Sequence, residues 1–146
     1  MEKPEIVTLR GEFLLIVRNK SGKIIEKYFD KNLIVNLAKT SLASLIGGTG
    51  ANKNVTTIAF GTNGTAPDVA DTAITGAVTK TISGITFPEF NSVLFPYSLG
   101  LSEGNGTAIA EFGLLSNDGT LFARKTRSVI NKTSDLQFTG TWKIIF

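Results

Sequence analysis

Residues 107–129 read TAIAEFGLLSNDGTLFARKTRSV, and this stretch decides the fold class. Two segments rich in apolar residues, 107–115 and 120–129, flank the turn residues 116–119. Two such segments joined by a short Ser-Asn-Asp-Gly connection are typical of a β-hairpin. We therefore predict that they pair as antiparallel strands.

Glu111 and Arg124 are the candidate pair of this hairpin. If residues 116–119 form the loop, Glu111 faces Arg124 directly across the two strands. One interpretation is an acidic catalyst held by an arginine, and the other is a structural ion pair that fixes the register. Because an arginine lowers the pKa of a neighbouring carboxyl, the pair suits a general acid poorly, which favours the structural ion pair. A two-residue Asp118–Gly119 loop would place Glu111 opposite Thr126 instead.

The rest of the chain repeats the pattern of short strands and turns. Strands are predicted at 6–18 and 23–29 around a turn at 19–22, and again at 54–60, 77–83, 93–101 and 136–146. Pro96 indicates a bulge or an edge strand. We predict an all-β fold, an antiparallel β-sandwich of the jelly-roll or Ig-like type with one short α-helix inserted near residues 33–46.

The inserted helix is predicted from apolar spacing. Its apolar residues recur at intervals of three and four, which places them on one face: Ile34, Ala38, Leu42, Leu45 and Ile46. Asn32 is the predicted N-cap, and Gly47-Gly48 ends the helix.

The length of 146 residues fits a single domain, 1–146. Residues 1–9 form a possible extended arm that becomes apolar at Ile6. The arm either adds a strand to the sheet of a neighbouring subunit or pairs within its own hairpin. Ile6 and Leu9 are therefore candidate interface residues.

The composition excludes many functions. The chain has no cysteine and no histidine, which removes disulfides, thiolate sites, the Ser-His-Asp triad and most zinc sites. Asp68 and Asp71 are too sparse for a calcium loop. We expect no enzyme activity, no cofactor and no metal. The net charge of +3 is too small to indicate a nucleic-acid partner.

Charged residues make up only 18% of the chain, below the usual share of about 25%. Such a surface favours a homo-oligomer or a larger assembly. No signal peptide or membrane-spanning stretch is predicted. Aromatic residues at 87–97 suggest a contact surface for a subunit or a sugar, with Phe87, Phe90, Phe95 and Tyr97 as its candidates.

The order of several motifs resembles a class of small tailed-bacteriophage virion structural proteins, of the tail or tail-fibre type. The resemblance covers roughly residues 32–146. It rests on four stretches: NLIVNLA leading to LIGG (32–48), IAFGTNGTAP followed by DTAI (58–74), AEFGLL followed by GTLFAR (110–124), and NKTSDL to TWKIIF (131–146). Thr79-Lys80 departs from the family, which often has an acidic residue and an arginine there.

The resemblance implies a non-enzymatic β-sandwich building block of a virion, made in the host cytoplasm, whose partners are capsid or tail subunits. The family's label favours the tail, baseplate or fibre attachment. A short chain without coiled coil or shaft repeats equally suits a decoration protein of the capsid. A receptor- or carbohydrate-binding module is the further alternative.

Overall fold

The computed structural model describes residues 8–146 and confirms a mostly β, antiparallel fold with one short helix. The strands are β1 (Arg10–Asn19), β2 (Ile24–Ile34), β3 (Val55–Gly61), β4 (Val78–Thr81), β5 (Ser92–Leu99), β6 (Ala108–Ser116), β7 (Leu121–Asn131) and β8 (Leu136–Ile145), and the helix is α1 (Asn36–Ile46). Every predicted strand has its counterpart, with ends shifted by a few residues.

The eight strands form one curled sheet in the order β4-β3-β6-β7-β2-β1-β8-β5. Strand β2 connects its two halves. From Ile24 to Asn32 it pairs with β1, whereas Leu33 and Ile34 pair with β7. The sheet therefore bends at the end of β2. The finer description as a two-sheet sandwich stays a prediction.

An aromatic core fills the inside of the curl. The ring of Phe13 on β1 lies 4.8 Å from Phe112 on β6 and 4.9 Å from Trp142 on β8. Phe60 on β3 lies 5.7 Å from Phe112 and 6.0 Å from Tyr97 on β5. Because these strands belong to opposite ends of the strand order, the rings hold the two halves together. Such ring pairs add about 0.5–1.5 kcal/mol each beyond area burial.

The two edges of the sheet are β4 and β5. Pro96 lies on β5, as expected for a residue that cannot donate a ladder hydrogen bond. The Lys80 ammonium on β4 reaches Ser98 Oγ on β5 at 3.3 Å and Glu103 Oε1 at 2.8 Å. A charged side chain thus spans the open edge, an arrangement that discourages further strand pairing.

The helix begins later than predicted. Its N-cap is Val35, without a side-chain cap bond, and Ile34 still belongs to β2. Asn32 is not the cap. Its Oδ1 accepts the indole N–H of Trp142 at 2.7 Å. A buried indole N–H needs a hydrogen-bond acceptor, and Asn32 is that acceptor instead of a helix cap.

The predicted first strand is also shorter at its start. It begins at Arg10, and Thr8 and Leu9 are not part of it. The predicted arm residue Ile6 lies outside the described residues. Strand β1 is paired on both sides, with β2 and β8, so the chain enters at the interior of the sheet. The C-terminal strand β8 lies between β1 and the edge strand β5 and is paired on both sides.

Candidate interaction surface

Glu111 and Arg124 form a buried ion pair on the outer side of β6 and β7. Arg124 Nε donates to Glu111 Oε2 at 2.7 Å, and both side chains are almost completely buried. Of the two registers that the sequence left open, the structure has the one in which Glu111 faces Thr126, and Arg124 faces Gly113. A register shift between Leu114 and Leu115, and not a two-residue loop, produces this pairing. A long arginine spans this diagonal.

The ion pair is covered by the connection between β3 and β4, residues 62–77. Arg124 Nη1 donates to Asp71 Oδ2 at 2.9 Å, and Nη2 donates to the carbonyl of Asn63 at 2.9 Å. Glu111 Oε1 accepts the backbone N–H groups of Thr75 at 2.7 Å and Asn63 at 3.2 Å. The pair therefore anchors a long connection to the sheet. Both carboxylate oxygens of Glu111 thus accept hydrogen bonds from within the fold.

Asp68 and Asp71 serve the same connection. Asp71 Oδ2 accepts the backbone N–H of Asp68 at 2.9 Å as well as the arginine. Asp68 Oδ1 accepts the N–H of Ala70 at 2.7 Å. Within residues 8–146, no three acidic side chains are grouped so that they would hold a metal ion.

Tyr97 belongs to the core, which corrects its prediction as a contact residue. Its hydroxyl donates to the carbonyl of Leu14 at 2.7 Å, and its ring stacks on Phe13 at 5.8 Å. Burial raises the pKa of its phenol well above the ordinary value. Phe95 is also buried, but it forms part of the floor of a surface hollow. Phe95 and Tyr97 are both buried because the odd-numbered residues of β5 point inward.

Phe87 and Phe90 are the exposed members of the predicted contact surface. Phe87 is 74% exposed and Phe90 is fully exposed. Their loop is nevertheless held firmly at both ends. Thr86 and Leu94 exchange two backbone hydrogen bonds, at 3.1 and 2.8 Å, which tie the loop to β5.

Polar contacts fix the other side of this loop. Ser92 Oγ donates to Glu89 Oε2 at 2.8 Å, and Lys143 Nζ donates to Glu89 Oε1 at 2.9 Å. Both contacts lower the pKa of the Glu89 carboxyl, the lysine more strongly. Asn91 exchanges hydrogen bonds with Phe146. The loop therefore presents two phenyl rings to solvent on a fixed scaffold.

Two adjoining hollows lie beside this loop, with volumes of about 400 and 780 Å³. They share Leu42 and Phe146. The first is mostly apolar and includes Ile85, Phe87 and Phe95 in its wall, and the second includes Leu9 and Ile46. We call the surface formed by the rims and walls of both hollows, together with Phe90, the apolar end.

The apolar end contains residues that the sequence pattern assigned to a buried helix face. Ile46 is 88% exposed and Leu45 is also exposed, whereas Ala38 and Ser41 are the buried residues of α1. The sequence carried no signal for this exposure. Apolar spacing places residues on one helix face, but it does not show how far along the helix the rest of the fold covers that face.

The outer face of β1 and β2 is a second exposed surface, which we call the convex face. Leu14 lies opposite Phe29, and Ile16 lies opposite Lys27. Phe29 is 61% exposed. This apolar centre is flanked by the basic side chains of Arg10, Arg18, Lys27 and Lys31.

The convex face carries an excess of positive charge, because Glu12, which lies opposite Lys31, is the one acidic residue that β1 and β2 place on it. Among the described acidic residues, Glu12 and Asp68 alone lie outside a salt bridge. On the inner side, Lys125 and Arg127 of β7 pair with Asp30 and Glu26 of β2, around the ring of Tyr28. Lys125 and Arg127 are therefore paired within the fold and do not add to the charge of the convex face.

No family model, no curated protein and no solved structure matches the chain. Within residues 8–146, the structure contains no helix long and apolar enough to cross a lipid bilayer.

Proposed function

We propose that this protein is a non-enzymatic structural subunit of a tailed-phage virion that works through its interfaces. The observation that carries the proposal is the anchored loop that exposes Phe87 and Phe90, with Phe87 in the wall of an apolar hollow. A large exposed apolar patch is a mark of an interaction site. A loop that is already fixed loses little conformational entropy on binding.

The convex face supports the same proposal. An assembly subunit needs more than one contact surface, and this face combines an apolar centre with unpaired basic groups. It suits a virion neighbour whose surface carries carboxylates around an apolar patch. Arg124, in contrast, is not available to a partner, because its side chain is buried in the ion pair with Glu111.

A two-layer β-sandwich of the jelly-roll or Ig-like type is the fold that we propose to accompany this function. The support is the packing of β3 and β6 against β1, β5 and β8 through aromatic rings. The resemblance of the sequence motifs favours placement on the tail, baseplate or fibre attachment. Decoration of the capsid is the alternative placement.

The copy number per particle tests the function and its placement together. Quantitative mass spectrometry of purified particles of the virus that encodes the chain gives the number of copies per virion. A few to a few dozen copies place the protein on the tail, and hundreds place it on the capsid. Absence from particles, with the protein present in infected cells, contradicts the proposal.

A carbohydrate-binding module is a second candidate, favoured by the complete exposure of the Phe90 ring. Exposed aromatic rings are common sugar platforms. Tyr97 is unsuitable as a probe because it is buried. A glycan-array signal that is lost in Phe90→Ala, while thermal stability is unchanged, would favour this second function.

A further inference from the structure

We propose that the apolar end is the surface on which a second copy of this chain docks, with the Phe87–Phe90 loop of each copy entering a hollow of the other. This inference names a partner for the proposed interface, but its test in solution does not depend on a virion function.

The first argument is shape. One surface carries both a projection and a cavity, since the exposed Phe87 lines a hollow of about 400 Å³ and Phe90, on the same loop, is fully exposed. A two-fold contact requires a self-complementary patch of this kind, in which each copy supplies both parts. The hollow is lined by aliphatic and aromatic side chains such as Leu42, Ile85 and Val93, which suit a phenyl ring.

The second argument is charge. Among the described residues that line the two hollows, Lys39 and Lys53 are the charged ones. Lys53 is neutralised by Asp118, whose carboxylate lies 2.6 Å away. Two apolar ends therefore meet with little electrostatic repulsion. Two convex faces in contact would instead bring together two surfaces that each carry four basic groups (Arg10, Arg18, Lys27 and Lys31) against the single carboxylate of Glu12, which is unfavourable.

The third argument is area. The apolar end exposes six large apolar side chains: Leu45, Ile46, Ile85, Phe87, Phe90 and Phe146. A large aromatic side chain buries about 150–250 Å². Scaled by their exposed fractions, the six offer on the order of 700 Å² in each copy. Two copies then bury about 1,400 Å², within the range of about 1,200–2,000 Å² typical of specific interfaces.

Sedimentation velocity over a concentration series of the full chain tests the inference. We expect a species of about twice 15.6 kDa for the wild type. The double variant Phe87→Ser/Phe90→Ser should sediment as a monomer, with a dimer dissociation constant raised at least about tenfold. At a concentration low enough for the wild type to be monomeric, the melting temperatures of the two proteins should agree, because both side chains are exposed. Phe29→Ser removes an exposed phenyl ring from the convex face and is the matched control, which should stay dimeric.

Cross-linking gives a second, positive measurement. The chain has no cysteine, so Lys39→Cys and Lys27→Cys each introduce a single reactive thiol. A short bis-maleimide should join two copies through position 39, at the apolar end, and leave position 27 unlinked. Linking at position 27 alone contradicts the inference.

The proposal is overturned by a monomeric wild type at about 100 μM, by a double variant that stays dimeric, or by a control that dissociates as readily as the double variant. A dimer lost in Ile6→Asp but retained in the Phe87→Ser/Phe90→Ser variant also overturns it, in favour of exchange of the N-terminal arm. A wild-type dimer that is absent from particles contradicts the virion function and leaves the dimer in place.

Discussion

Arg124 donates its Nε–H to Glu111 Oε2 at 2.7 Å, and both side chains are shielded from solvent by the connection between β3 and β4. Removing one partner of such a pair leaves an uncompensated buried charge. Because the same two side chains hold the backbone of Asn63 and Thr75, the loss also frees residues 62–77.

We predict that Arg124→Ala lowers the free energy of unfolding by about 3–5 kcal/mol, measured by urea denaturation. The control is Lys20→Ala, which removes an ion pair with Asp135 that is mostly exposed. Exposed pairs contribute about 0.2–1 kcal/mol, so the control should change little. Equal losses in the two variants would show that the buried pair is not an anchor.

A second prediction concerns Gly113 on β6, against which Ile74 packs. A Cβ at position 113 would lie 2.5 Å from Ile74 Cγ1 and 2.7 Å from its Cδ1. Gly113→Ala should therefore destabilise the fold by about 1–3 kcal/mol. Gly64→Ala is the control, since its nearest neighbour is 3.5 Å away.

The contact with Ile74 is separable from other effects at position 113. In a double-mutant cycle, Gly113→Ala combined with Ile74→Ala should cost less than the sum of the two single changes, because the clash is removed. Thermal unfolding of the four proteins provides the comparison. Strict additivity would place the cause of the destabilisation elsewhere.

The hairpin of β6 and β7 shows how much of the fold the sequence could predict. Its strands, its turn and the association of Glu111 with Arg124 follow from apolar runs around Ser-Asn-Asp-Gly. The sequence left two registers open, and the structure has the one in which Glu111 lies opposite Thr126. The roles of Asp71 and Asn63 in the same network lie more than 45 residues away from Arg124, beyond any local pattern.

The sequence predicted the candidate surface only in part, for a related reason. It showed the aromatic residues at 87–97, but it did not show which of them are exposed and which are buried. Loop residues Phe87 and Phe90 project outward, whereas Phe95 and Tyr97 belong to a strand with one inward face. Asn32 was misassigned as a cap because its true partner, Trp142, is 110 residues away.

The third prediction is the dependence of stability on pH. Lys125 lowers the pKa of Asp30, and Lys80 lowers that of Glu103, in each case through a hydrogen bond to the carboxylate. A hydrogen bond from Lys53 lowers the pKa of the Asp118 carboxyl strongly. A lowered folded-state pKa stabilises the fold above the unfolded values of about 3.9–4.3, and this stabilisation is lost as the pH falls through the folded values.

The urea midpoint should therefore fall steadily below about pH 4. Between about pH 5 and 7 it should stay nearly constant, since the chain has no histidine. Glu103→Gln should weaken the acid dependence, because it removes one of the lowered carboxyls. A steep change between pH 5 and 7 would require a strongly shifted group that these contacts do not explain.

The fourth prediction concerns the C-terminal strand. β8 pairs with β1 on one side and with β5 on the other, and it contributes Trp142 and Ile144 to the core. Deletion of residues 142–146 should abolish cooperative unfolding, because it removes a large buried aromatic and two strand pairings. Phe146→Ser, at the exposed end, is the control and should retain a cooperative transition. A truncated chain that still melts cooperatively would contradict the central position of β8.

The fifth prediction separates the convex face from the apolar end and rests on the virion proposal. Lys27→Glu/Lys31→Glu reverses two basic groups beside the apolar centre formed by Leu14 and Phe29. If an acidic neighbour docks there, charge reversal should reduce incorporation into particles at least about tenfold, since like charges then oppose each other.

The measurement is the number of copies in particles assembled with the variant. Lys23→Glu, in the turn before β2, is the control and should be incorporated normally. The dimer should be unaffected in both variants, because the apolar end is unchanged. Normal incorporation of the double variant would exclude the convex face as the surface that binds the virion.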